Sequence, residues 1–113
     1  MSAVTAKVLI NSRYAGSSAT TEYTCPTSTR TIIDKFTATN TDSGALTITV
    51  YIVPSGGSAT GSNTITKAYS ISAGATVSLS EMQNQILAAG DFVSVLASSA
   101  SKVVIRMSGR EIA

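Results

Sequence analysis

Hydrophobic positions in this chain recur at every second residue, in short runs separated by turns. The clearest run is Leu46 to Val53. Leu46, Ile48, Val50 and Ile52 fall on one face, and Thr47, Thr49, Tyr51 and Val53 on the other. Alternation in residues that favour a pleated, half-buried surface predicts a β-strand. The run Arg30 to Asn40 precedes it across Thr41, Asp42, Ser43 and Gly44, which supply side-chain acceptors and backbone freedom for a turn. The pattern predicts that the two runs pair as a hairpin. The alternation breaks once in the first arm. Ile32, Asp34, Phe36 and Ala38 share parity, which sets an acid on the face of Phe36. Either a bulge changes the parity between Ile33 and Phe36, or Asp34 lies at a solvated sheet end.

The same reading extends along the chain. Val4 to Ile10 predicts a strand with Val4, Ala6, Val8 and Ile10 on one face, and Leu9 on the other face suggests a covered or subunit-facing surface. Asn11 to Ala19 reads as a loop or an arm. Thr20 to Cys25 is extended and stopped by Pro26, which cannot donate to a ladder and restricts the residue before it. Pro54 to Asn63 reads as a long Gly/Ser-rich hairpin tip. Strands follow at Thr64 to Ile71 and Ala75 to Ser80. Ser80 to Ala89 predicts a short helix, capped by Ser80 and ended by Gly90. Asp91 to Ala97 and Lys102 to Ser108 are the last strands, and Gly109 to Ala113 a tail. Seven to eight strands at spacings of about eight to twelve residues predict an all-β fold, a single antiparallel β-sandwich or jelly roll with one short helix near 81–89. Residues 1–113 form one domain in this reading, with 1–19 a possible extended N-terminal arm.

Composition strengthens the fold class and narrows the chemistry. Ser and Thr make up about 30% of the 113 residues, charged residues 12% and aromatics 5%. That balance favours strands and turns over helices. A mean hydropathy of +0.26 argues against disorder. The basic residues are scattered, without the clustered face that nucleic-acid binding needs. The single cysteine, Cys25, excludes an intrachain disulfide and fits assembly in a reducing cytoplasm. The first residues lack a secretory pattern, and no apolar run approaches the roughly 18 residues of a membrane span.

No candidate catalytic, cofactor or metal site emerges. There is no histidine, which removes the usual triads and His-based metal sites. Cys25 has no imidazole to activate it and reads as a small buried apolar side chain. The acids Glu22, Asp34, Asp42, Glu81, Asp91 and Glu111 are dispersed. The loop SGGSATGSN lacks the lysine and following helix of a phosphate loop. Tyr14, Tyr23, Tyr51 and Tyr69 are candidates for a sugar platform, but the chain has no tryptophan to reinforce it.

Two stretches carry a resemblance. Tyr23 to Ala59 has a short strand, a proline turn and an apolar strand that ends at Asn40-Thr41. A Ser/Gly turn, the alternating strand and a PSGG loop follow. Leu87 to Ile112 has Gly90-Asp91 opening a strand, a Ser-rich turn and a closing strand with Ser108-Gly109. Together they resemble small structural proteins of tailed bacteriophages. The resemblance implies a non-enzymatic virion protein, first a capsid decoration or cement protein and alternatively a neck, collar, tail or fibre accessory. A carbohydrate-binding adhesion module is the reading from another class. The implied partners are major capsid or other virion proteins and copies of the chain itself, a trimer being favoured. Neither nucleic acid nor membrane is implied, and the location is the virion, assembled in the host bacterial cytoplasm. A charge-poor surface leaves few charges to bury at contacts. The interface candidates are Val4, Leu9, Arg13, Tyr14, Thr47, Thr49 and Tyr51. The first segment is either an arm that adds a strand to a neighbour's sheet edge or the first strand of its own sandwich.

Overall fold

A computed structural model describes residues 3–113. Its strands are β1 (Val4–Tyr14), β2 (Thr20–Thr24), β3 (Arg30–Asn40), β4 (Leu46–Val53), β5 (Thr64–Ile71), β6 (Thr76–Ser78), β7 (Ile86–Leu87), β8 (Phe92–Ala97) and β9 (Val103–Ile112). They form two antiparallel sheets. Sheet I runs β1-β9-β3-β6, with β7 also pairing β3, and sheet II runs β2-β8-β4-β5. β1 pairs with β9, β2 with β8, β3 with β6 and β7, and β4 with β5. The chain is one long hairpin with its tip at residues 54–63, rolled so that successive rungs alternate between sheets. That is the jelly roll, with its sixth strand split into β6 and β7. The predicted all-β fold class stands, and so does the hairpin tip.

The predicted pairing of β3 with β4 does not form. β3 belongs to sheet I and β4 to sheet II, so residues 41–45 make an arch across the core. Asn40 fixes the arch. Its fully buried side chain donates to Gly44 O and Ile71 O at 2.9 Å each, and its carbonyl accepts from the Asp42 backbone N–H. Thr41 Oγ1 donates to Lys102 O at 2.6 Å. Turn chemistry was legible at this place. Periodicity names the face a strand buries, and says nothing of which strand it pairs with.

Two bulges explain the broken alternations. In β3, Ile33 is opposite Gly109 and Lys35 opposite Ser108, so Asp34 is the extra residue. Ile33 and Phe36 both reach the core, while Asp34 turns outward to Arg110, which grips it with Nε and Nη2. Both partners of that pair are 42% exposed, so it contributes no more than about 1 kcal/mol. In β1, Val8 is opposite Ser108 and Ile10 opposite Met107, so Leu9 is extra. Leu9 and Ile10 are consecutive and both buried. Leu9 is therefore core of its own subunit, which corrects its place among the interface candidates.

Three boundaries also differ. Ser80–Met82 is a single 3₁₀ turn where a helix to residue 89 was predicted. Asn84 takes a left-handed φ of 66°, and the backbone then pairs with β3 through Asn84 N–H to Ile33 O and Ile33 N–H to Gln85 O. Sheet pairing, with Met82 and Leu87 buried, outweighs the capping signal. The predicted tail from Gly109 is strand as far as Ile112, because both β1 and β3 pair with it. β1 continues to Tyr14 as a strand of its own sandwich and is not a free arm; Met1 and Ser2 of the predicted arm lie outside the described residues.

β5 carries an irregularity of another kind. Between the pairs Ile48–Tyr69 and Val50–Thr66, Lys67 and Ala68 both lie opposite Thr49. Ala68 has φ 49°, a conformation costly for a residue with a Cβ. Thr49 Oγ1 accepts the Ala68 N–H at 3.0 Å and holds it there. Ala68→Gly is expected to stabilise the fold by about 0.5–1 kcal/mol, read as a raised urea midpoint at unchanged slope.

Candidate functional site

One polar network crosses the core at the end where Ala3 pairs with Ala113. Tyr23, on β2, reaches from sheet II to sheet I. Its hydroxyl donates to Glu111 Oε2 at 2.5 Å and lies 2.7 Å from Thr31 Oγ1. Glu111 Oε1 accepts from Lys7 Nζ at 3.2 Å. Thr31 Oγ1 is 3.2 Å from Cys25 Sγ, and the thiol is directed to the Thr29 and Leu87 carbonyls. The register explains the convergence. Thr5, Glu111, Thr31 and Leu87 form one cross-strand row on the inner face of sheet I, facing Tyr23. Burial, and then the Glu111 carboxylate, push the Tyr23 hydroxyl pKa well above its ordinary value.

This network ties the sheets together and has no reactive pair. Glu111 already accepts two hydrogen bonds, and Cys25 is 1% exposed with no base beside it. Above it opens a cleft of about 450 Å³ lined by Ser28, Thr29, Arg30, Ala88, Ala89 and Ile112. Arg30 is the one charged residue in that lining. Among the described residues, no three His, Cys, Asp or Glu side chains gather as a metal site would require.

The sign of the tyrosine effect gives a prediction. The folded state holds Tyr23 neutral, with a pKa above the unfolded value of 10.0, so its contribution is complete below that pH and declines as pH rises past it. Tyr23→Phe is expected to cost about 1–3 kcal/mol at neutral pH. The variant should also lose part of the wild-type decline in stability above about pH 10, as denaturation curves at stepped pH would record.

The interface candidates divide into two sets. Val4 is 62% and Tyr14 53% exposed, both on the outer face of sheet I. Arg13 is committed within the chain. Its Nε lies 2.7 Å from Glu22 Oε1, joining the edge strands β1 and β2. Thr49 is buried and holds Ala68, so it is not available to a partner. Thr47 and Tyr51 are partly buried on the outer face of sheet II. Sequence reasoning missed Ile86, 63% exposed, and put Val8, 41% exposed, on one face with Ile10, which is fully buried. The register was the missing signal: Ala6, Arg110, Ile32 and Ile86 form one outward row, flanked by Val4 with Ile112 and by Val8 with Ser108.

Neither family models nor curated protein sequences give a match to this chain. Among solved structures, a chain of the disulfide-linked pili formed by Bacillus endospore appendages is similar with a TM-score of 0.59 at 15% identity, over 98% of this chain and 88% of that one. A chain of the infectious bursal disease virus Gx strain gives a TM-score of 0.49 at 14% identity, over 99% of this chain and 32% of that one. At such identities the first likeness is one of fold alone, and the second is too distant to build on.

Proposed function

We propose that this chain is a non-enzymatic structural subunit of a phage particle, a capsid decoration protein that binds major capsid or other virion proteins and copies of itself. The supporting observation is the outer face of sheet I. Val4, Val8 and Ile86 stand 62%, 41% and 63% exposed there, beside Ala6, Ile32 and Ile112. Arg110 stands among them, paired to Asp34, and exposed apolar residues grouped around such a pair on a sheet face are the kind of surface that protein contacts cover. The test is quantitative mass spectrometry of purified particles, followed by rebinding of the purified chain to particles that lack it. Fixed stoichiometry and saturable rebinding are expected, and absence of the chain from particles overturns the proposal. A density map then separates capsid from neck, collar or tail by symmetry.

A disulfide-linked pilus is a poorer reading. Within these 113 residues there is one cysteine, buried at 1% exposure, whereas a polymer held by disulfides needs two per subunit. The sugar platform fares no better. Tyr14 lies on sheet I, Tyr51 and Tyr69 on sheet II, and Tyr23 is buried in the network.

A further inference from the structure

The two sheets expose four edges, and three of them are blunted. The β3 edge of sheet I is covered only by the short pieces β6 and β7. The β5 edge carries the Ala68 kink and the exposed Lys67, and β2 has five residues. Bulges, short strands and lysines are the usual protections against unwanted strand pairing. β1 differs. From Val4 to Val8 it pairs with Ile112 to Ser108 without a shift, and its first bulge comes only after Val8.

The free side of this stretch can be read from the ladder. Ala3 and Ala113 exchange both of their backbone hydrogen bonds, at 3.0 Å each. Antiparallel pairs alternate between bonded and non-bonded, so Thr5–Glu111 and Lys7–Gly109 are bonded pairs. Val4, Ala6 and Val8 therefore turn their N–H and C=O groups to the open edge. The one cation of the stretch, Lys7, lies on the inner row and is held by Glu111.

We propose that this edge pairs with the same edge of a second copy, antiparallel about a two-fold axis through Ala6. The segment Val4-Thr5-Ala6-Lys7-Val8 is self-complementary in this register: Val4 meets the partner's Val8, Ala6 meets the partner's Ala6, and Thr5 meets the partner's Lys7. All three outward-turned residues of each copy become bonded pairs, and no cation stands directly opposite a cation. The contact is isologous and closes as a dimer. Its axis is perpendicular to the sheet, so the outer faces of both copies, with Val4, Val8 and Ile86 exposed on each, join into one surface on one side. The inference rests on the structural-subunit reading only for the use of that joined surface.

Sedimentation equilibrium of the full chain tests it. The wild type is expected at twice the chain mass of 11.5 kDa. Ala6→Pro removes a donor from the open edge and none from the β1–β9 ladder, so it should be a folded monomer. Ala6→Lys and Ala6→Glu each place like charges on the axis, and each alone should be monomeric. Their equimolar mixture should recover the dimer, which a fold defect would not allow. A monomeric or trimeric wild type, an Ala6→Lys variant that stays dimeric, or a mixture that stays monomeric overturns the inference. A monomer that still saturates particles ends the edge pairing and leaves the structural role standing. A dimer missing from particles does the reverse.

Discussion

Gly109→Ala is expected to cost about 3 kcal/mol or more, at the upper end of what overpacking produces. A Cβ at this position would overlap the Ile32 carbonyl oxygen and sit 2.8 Å from Leu9 Cδ1. The first obstacle is backbone, so no rotamer change relieves it. The bulges on both sides meet here. Asp34 is extra in β3 beside the Ser108–Gly109 step of β9, and Leu9 is extra in β1 beside the adjoining Met107–Ser108 step. The sheet bends at a residue without a side chain, and Leu9 occupies the space that a side chain would take. Urea denaturation should show a large fall in midpoint. Gly44→Ala, with nothing within 4 Å of the added carbon, serves as the control and should change little.

Phe36→Ala is expected to cost about 3–5 kcal/mol. Phe36 is fully buried opposite Met107, immediately after the β3 bulge, and its carbonyl accepts the Leu79 N–H. Against a total stability of roughly 5–15 kcal/mol, this loss brings the fold near its limit. Phe36→Leu keeps most of the volume and should cost about 1.5 kcal/mol or less. Thermal unfolding of the two variants side by side separates lost packing from lost identity. Should Phe36→Ala match Phe36→Leu, the packing assigned to this ring is wrong.

The sequence made the faces legible and left their partners hidden. Ile48 and Val50 announced a buried row, and both are at 0% exposure. The conflict at Asp34 was visible as a parity error, and a bulge was one of the two solutions it admitted. Thr49 looked like an outward strand residue, and its position did face out. Its burial comes from holding Ala68, a contact between residues 19 apart that no local pattern encodes. The Arg30–Val53 arch looked like a hairpin because Thr41, Asp42, Ser43 and Gly44 carry turn chemistry, while the bond from Asn40 to Ile71 that helps fix the arch is distant in sequence. Val4 was named from the sequence, but that Val8 and Ile86 share its face stayed hidden for the same reason: the residues are far apart in the chain, and only the rolled register puts them on one side of one sheet.

The pairing of Ala3 with Ala113 has a mechanical consequence. Ala3 and Ala113 close the β1–β9 ladder with two hydrogen bonds. Tension applied between these two points opens that ladder like a zip, one bonded pair at a time, at low force. Tension applied along β1 by a neighbour gripping its edge must slide the whole strand against β9 and break its pairs together. The same protein is thus weak to a pull between Ala3 and Ala113 and strong to a load carried through its sheet.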